Sequence, residues 1–348
     1  MLLKSGAHMT FNPIVIVTRG EKPAWYQDTA PYARPSLRAA IWQLINTLIP
    51  YFLLFATMVY TVRQGYPYMV TLALAVCAAA LFIRIFIIFH DCTHGAFLPS
   101  PRWNRNVGYF CGLLTFTSFH DWRRSHAGHH MTAGNLDRRG LGDITLMTVD
   151  EYQAASPLRR LAYRLYRQPL ITFIIGPTYY FLLRNRYPSK GARKPDVYSV
   201  IIVDLALLAI IILASLTIGL RTYLLVQGPI LVIAAAAGIW LFYIQHQFQG
   251  VYWARHAQWD PWRVALQGAS YYQLPRWLHW VTGNIGFHHV HHARPGIPNY
   301  RLRQCHENVD VLHAVRPLTL SESLKTVRFK LWDEARDRLV GFPHRLTQ

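Results

Sequence analysis

Four stretches of this chain, at about 39–62, 68–89, 197–220 and 223–244, are apolar over a length that can cross a bilayer. Crossing takes about 20 residues, and hydrocarbon offers the backbone no partner outside its own segment, so each stretch must be a helix. The first holds no charged residue, the second only Arg84 and the third only Asp204. They fall into two pairs, each joined by a few residues, which is the pattern of two helical hairpins. The expected fold is therefore an all-α integral membrane protein. It divides into an N-terminal segment 1–38, a membrane domain 39–305 and a C-terminal tail 306–348.

The formal charge of +19 would raise the question of nucleic acid in a soluble protein. Here the basic residues avoid the apolar stretches and collect between them, so no nucleic-acid partner is expected. Five lie before residue 39, fifteen in 91–196 and thirteen after His246, whereas the short hairpin loops hold one each, Arg63 and Arg221. Long loops weigh less in the positive-inside rule, but the N-terminal flank alone gives the same answer. Both termini and the long connections are expected on the cytoplasmic side. The first 38 residues are polar and contain Pro13, Pro23, Pro31 and Pro35, unlike a secretory leader. Cys77, Cys92, Cys111 and Cys305 form no Cys-x-x-Cys pair, so neither a disulfide framework nor a thiolate metal site is expected.

Three histidine clusters interrupt this apolar plan: His90-Asp-Cys-Thr-His94, His126-Ala-Gly-His129-His130 and His288-His289-Val-His291-His292. Unpaired polar side chains are costly at a bilayer, so nine imidazoles in tight groups need a chemical reason. On a helix, residues i, i+3 and i+4 share a face, so each box presents two or three ring nitrogens in one direction. Eight of the nine fit that spacing, more than one tetrahedral ion uses, and the count suggests two metal ions. All three boxes fall on the cytoplasmic side. His246, at the cytoplasmic end of the fourth stretch, is the counterpart of His90. Shorter apolar runs at 107–119 and 170–183 are read as interfacial or partly inserted helices. The scattered His8, His256, His306, His313 and His344 read as ordinary surface or core residues, as do His120 and His279 near the boxes. Without cysteine ligands, iron–sulfur and thiolate zinc sites are disfavoured. A structural zinc or a haem would leave several imidazoles unexplained. Two non-haem irons would use the set, although imidazole also suits copper and zinc.

These residues resemble the integral-membrane fatty acid desaturases, closest to bacterial and cyanobacterial acyl-lipid enzymes of the Δ12 and Δ5 kind. Beyond the three boxes, the resemblance rests on Phe89-His-Asp-Cys-Thr-His-Gly-Ala-Phe97, Gly134-Asn-Leu-Asp-Arg-Arg-Gly140 with Gly142-Asp143, Trp240-Leu-Phe-Tyr-Ile-Gln-His-Gln-Phe248 and Thr282-Gly-Asn-Ile-Gly-Phe-His-His-Val-His-His292. It spans roughly 40–305. It implies that His90, His94, His126, His129, His130, His288, His291 and His292 are iron ligands, with His246 completing the set and His289 outside it. Asp91 and Asn284 are expected to orient the imidazoles or water. An animal subgroup has an asparagine four residues before its extra histidine; here Phe242 stands there, so a water-bridged ligand would come from elsewhere.

The implied reaction inserts a cis double bond into a long-chain, lipid-linked acyl group, of the Δ12 type with Δ5 as the alternative, at a cytoplasmic-side site in a bacterial inner membrane. It consumes dioxygen and two electrons, because acid–base side chains cannot break an unactivated C–H bond, and two iron ions are the cofactor. No dinucleotide fingerprint or His-Pro-Gly-Gly haem-domain motif is present, so the electrons are expected from a separate carrier, a ferredoxin with its reductase. The basic face suits an acidic partner, or serves only topology and anionic lipid. One rival is a hydroxylase on the same scaffold. The other, a metal transporter, would need ionisable groups along mid-span, where only Arg84 and Asp204 occur, both toward the cytoplasmic end. Their similar depth suggests an ion pair between the hairpins, the alternative being that each reaches the interface separately.

Overall fold

The computed structural model describes residues 21–140 and 142–343, so His8 and His344 lie outside the described residues. Among the described residues, four helices are long and apolar enough to cross a membrane: α1 (Leu37–Arg63), α2 (Tyr68–Thr93), and, after two cap helices α3 (Pro101–Leu114) and α4 (Phe119–Thr132), a second pair. A short strand β1 (Met147–Thr148) and helices α5 (Pro157–Tyr166) and α6 (Gly176–Leu182) lead to that pair, α7 (Lys194–Thr217) and α8 (Leu220–His246). The expected spans are thus found, three of them extended by a few residues and the third shifted three residues toward the N-terminus. Both hairpin turns pass through glycine in the left-handed region, Gly65 at φ 70° and Gly219 at φ 85°, a conformation that a side chain disfavours.

The second span is the most buried of the four, at 56% of its apolar window against 17% for α7. Ala75, Ala78 and Ala79 explain its central place, since small residues let neighbouring helices approach closely. Around them pack Tyr51 and Met58 of α1 and Val226, Ile230 and Ala234 of α8. The helix α7 instead exposes Ile201, Leu205, Leu208, Ile212 and Leu216 on an outer face.

Beyond the spans lies a cap of short elements: β2 (Tyr271–Tyr272), α9 (Arg276–Val281), α10 (His288–Ala293), α11 (Asn299–Asn308), β3 (Pro317–Leu318), β4 (Leu331–Asp333) and β5 (Arg338–Val340). β1 runs parallel to β4 in the register Met147↔Leu331, and β4 is antiparallel to β5. β2 runs parallel to β3, so the stretch after residue 305 is bound into the cap at two places. The run 107–119 contributes to α3 and the start of α4, and the run 170–183 forms a π-helical turn Ile171–Ile175 followed by α6. The latter leaves Leu170, Ile174, Ile175, Tyr179 and Leu182 exposed, and the amphipathic α5 exposes Leu158, Leu161 and Leu165.

The expected pairing of Arg84 with Asp204 does not occur. Asp204 is held by Arg186, from the connection before α7, at 2.5 Å. Arg84 donates from Nε to Thr47 at 3.0 Å and from a terminal nitrogen to the carbonyl of Trp280, with its guanidinium 4.3 Å from the Trp280 ring centre. Each charge found a partner nearer in the chain's packing than the opposite hairpin.

Candidate metal centre

The cap brings nine histidines together in two groups. His90, His94, His126, His130 and His291 form one, and His129, His246, His288 and His292 the other, the offered nitrogens of each lying within 4.8 Å of one another. The groups do not follow the boxes, and here the structure departs from the expectation that each box points one way. Residues i and i+4 stay together, as in His90/His94, His126/His130 and His288/His292, while the i+3 member crosses to the other group. Successive helical positions are about 100° apart, so His129 and His130 diverge, as do His291 and His292. One turn each of α4 and α10 thus serves both groups.

The protons of three imidazoles can be placed from their partners. His129 Nδ1 lies 2.5 Å from Asp143 Oδ1, His246 Nδ1 lies 2.8 Å from the carbonyl of Gly268, and His90 Nδ1 lies 3.0 Å from Asp91 Oδ1. An oxygen acceptor fixes the proton on Nδ1, and a neutral ring then carries a lone pair on Nε2. The Nε2 atoms of His129 and His246 are 3.1 Å apart, as are those of His246 and His288. Two lone pairs cannot bond one another at that distance; a shared cation resolves the conflict. In the other group, His130 Nε2 lies 3.1 Å from His126 Nε2 and 2.9 Å from His291 Nε2. Burial, followed by neighbouring imidazoles, holds His126, His130, His288, His291 and His292 well below the usual histidine range. The same holds for His94. These six rings are held in their neutral form and offer lone pairs, and with the other three they fit one metal ion per group. His94 Nε2 and His292 Nε2 are buried with no partner among the described residues, and the donor chemistry gives them one.

The supporting shell was only partly visible in the sequence. Asp91 binds His90 and accepts from Asn299 through its backbone N at 2.6 Å and Nδ2 at 2.8 Å. Asn299 Oδ1 in turn accepts from Gln43 Nε2 of α1 at 3.0 Å. Among the described residues the Asn284 side chain reaches the imidazoles only at one remove: its Nδ2 donates to the carbonyl of Asn299 at 3.1 Å. Asp143 and the Gly268 carbonyl were missed as supports. Asp143 stands in a recognisable stretch, but fourteen residues after His129 no periodicity links the two, and a backbone carbonyl leaves no signal in residue type. The Trp122 ring stacks on His126 at 4.3 Å, and the Phe242 ring lies 5.3 Å from His129 and 6.1 Å from His246, giving the site apolar walls.

The remaining histidines go elsewhere. His289 Nε2 meets His306 Nδ1 at 3.0 Å, with His313 beyond at a ring spacing of 5.2 Å. His279 accepts from the backbone of Leu274 and stacks on Phe287. His256 pairs with Asn135, and His120 packs against Tyr109 and Phe119.

A family model described as fatty acid desaturase matches residues 65–316. A fatty acid desaturase of Bacillus subtilis is 44% identical over 316 residues, covering 91% of this chain and 89% of its own. An endoplasmic-reticulum omega-3 fatty acid desaturase of Vigna radiata is 28% identical over 64% of the chain, which spans 60% of that protein. A chloroplastic sn-2 acyl-lipid omega-3 desaturase (ferredoxin) of Helianthus annuus is 25% identical over 65% of the chain and 52% of its own. With four membrane helices and two histidine groups of metal-binding chemistry, the chain belongs to the fatty acid desaturase family and is an oxidoreductase of the membrane.

Proposed function

We propose that the protein is a di-iron acyl-lipid desaturase that inserts a cis double bond of the Δ12 type, with His90, His94, His126, His130 and His291 holding one iron and His129, His246, His288 and His292 the other. The observation that carries this is the convergence of imidazole Nε2 atoms, 2.9–3.1 Å apart, in two buried groups. Bound iron would supply the activation of dioxygen that an unactivated methylene pair requires. The overall balance is one acyl chain, one dioxygen, two electrons and two protons in, and one olefin and two waters out. The protein's part is positional. Asp91, Asp143 and the Gly268 carbonyl keep the Nδ1 protons and so present Nε2. Trp122 and Phe242 bound the site with apolar surface that suits an acyl chain. The lipid-linked substrate and a ferredoxin-type donor are supported by the printed name of the Helianthus relative. The excess of basic residues in the long connections supports a cytoplasmic site in a bacterial inner membrane.

The test is expression in a host without polyunsaturated lipids, followed by mass analysis of its fatty acids and metal analysis of the purified protein. A product that has lost two hydrogens, and about two iron atoms per chain, are expected. Fragmentation separates Δ12 from Δ5. A product that has gained one oxygen would make the protein a hydroxylase, and stoichiometric zinc with activity retained would overturn the iron assignment.

A further inference from the structure

Beside the four-histidine group lies a cavity of about 10 Å³ bordered by Asp143, Phe242, His246 and Trp253. That is about the space one water molecule needs. Two residues of this lining carry polar atoms of opposite sense that are buried without a partner among the described residues: the indole Nε1–H of Trp253, a donor, and Oδ2 of Asp143, an acceptor. Trp253 itself is only 5% exposed. Buried donors and acceptors are seldom left unmatched, because each then loses its hydration for nothing. The other oxygen of Asp143 is already committed to His129 at 2.5 Å. Gln247 and Tyr243 also border the space, and the two unmatched atoms alone give a water there the two polar neighbours it requires.

We propose that one ordered water binds in this cavity, accepting from Trp253 Nε1–H and donating to Asp143 Oδ2, and that Trp253 is thereby a positioning residue for His129. The indole fixes the water, the water fixes the carboxylate, and the carboxylate fixes the ring that presents Nε2 to the group. The role in metal retention rests on the di-iron reading above; the water site does not.

The experiment uses the iron-loaded enzyme in nanodiscs. A high-resolution map of the wild type is expected to show solvent density within hydrogen-bonding distance of both Trp253 Nε1 and Asp143 Oδ2. Trp253→Phe keeps a ring and removes the N–H. It is expected to lose that density and to release iron to a chelator about tenfold faster, the scale of a lost supporting contact. Its metal-free form should remain folded, with a thermal midpoint lowered by the space that a buried Trp-to-Phe change leaves. Trp332→Phe removes an indole from the same apolar cluster away from the cavity, and should release iron at the wild-type rate. A dry cavity in the wild-type map, or unchanged release from Trp253→Phe, overturns the proposal. If Trp253→Phe does not fold, the wild-type map decides alone. Wild-type protein that binds no iron would defeat the di-iron reading while leaving the density to be judged separately.

Discussion

The two histidine groups share the turns of α4 and α10 but are fastened to the membrane domain in different ways. The five-member group begins at the end of α2, and its carboxylate, Asp91, is held by Asn299, which is held by Gln43 of α1. Every link is buried. The four-member group takes His246 from the end of α8, and its supports are a backbone carbonyl at Gly268 and Asp143, which stands in an irregular connection. A buried arginine lies near each: Arg84 in the span leading to His90, and Arg167 against Tyr243 and Gln247, which flank His246. Neither forms an ion pair among the described residues. The first group is thus set by a chain of side chains running into the first hairpin, and the second by the fold of the cap around one helix end. A shared pair of boxes can therefore serve two sites of unequal rigidity.

The largest effect should come from removing ligands. His246→Ala leaves three members in its group and His94→Ala leaves four in the other, the number the smaller group has at the start. Both should lower desaturation by at least about a hundredfold, since ligands outrank the supporting contacts worth 10–100-fold. Metal content should separate them: elemental analysis should find about one ion per chain lost from His246→Ala and a smaller loss from His94→Ala. His256→Ala, which touches neither group, should keep most activity. Equal metal loss in the two ligand variants would break the comparison.

Next in size is the stability contrast of the carboxylates. Asp91→Ala strands the backbone N–H and the side-chain amide of Asn299 as well as His90 Nδ1. Orphaned buried donors cost about 1–3 kcal/mol each, so a total near 3 kcal/mol is expected. Asp143→Ala strands chiefly His129 Nδ1, and about 1 kcal/mol is expected. Thermal unfolding of the metal-free proteins in one detergent measures both. A larger loss at Asp143 would reverse the assignment of the rigid group.

The arginines sharpen the same point. Arg167 donates to the carbonyls of Thr145 and Phe329, the hydroxyl of Tyr243 and Oε1 of Gln247, so Arg167→Met should cost about 2 kcal/mol through the acceptors left behind. Arg84 sits inside a span, where removing a buried cation recovers much of what its bonds contributed. Arg84→Met is expected to change the thermal midpoint little. Comparable losses would show that Arg84 anchors the first hairpin as strongly as Arg167 anchors the cap.

The spans were legible because hydrocarbon leaves one solution per apolar stretch, and their ends were found within a few residues. Eight of the nine histidines were legible because spacing on a helix restricts where imidazoles point, and His246 because it ends the fourth span as His90 ends the second. Their division into groups was not, because it depends on how α4 and α10 face each other, which no local pattern reports. His289 was read apart from its neighbours on resemblance, and its contact with His306 depends on α11 folding back, seventeen residues away. Arg84 and Asp204 were matched by depth, the only coordinate a hydropathy pattern gives. Depth carries no azimuth, and Arg186, which lies outside the spans, was closer.

The smallest expected effect tests whether charge ties the two hairpins, and so the anchors of the two groups, to each other. Asp204 lies 2.5 Å from Arg186, with side chains 31% and 20% exposed, and Arg186 also donates to the carbonyl of Phe116, whose φ is 57°. Partial exposure limits the pair, and a coupling of about 1 kcal/mol is expected from a double-variant cycle of Arg186→Ala and Asp204→Ala. Arg186→Ala alone should cost more than Asp204→Ala alone, because it also releases the Phe116 carbonyl. In the cycle of Arg84→Ala and Asp204→Ala the losses should add, within about 0.5 kcal/mol, since the two share no partner. Non-additivity there would mean that the hairpins are coupled through a polar path between the spans, and the two histidine groups would then have to be treated as one mechanical unit.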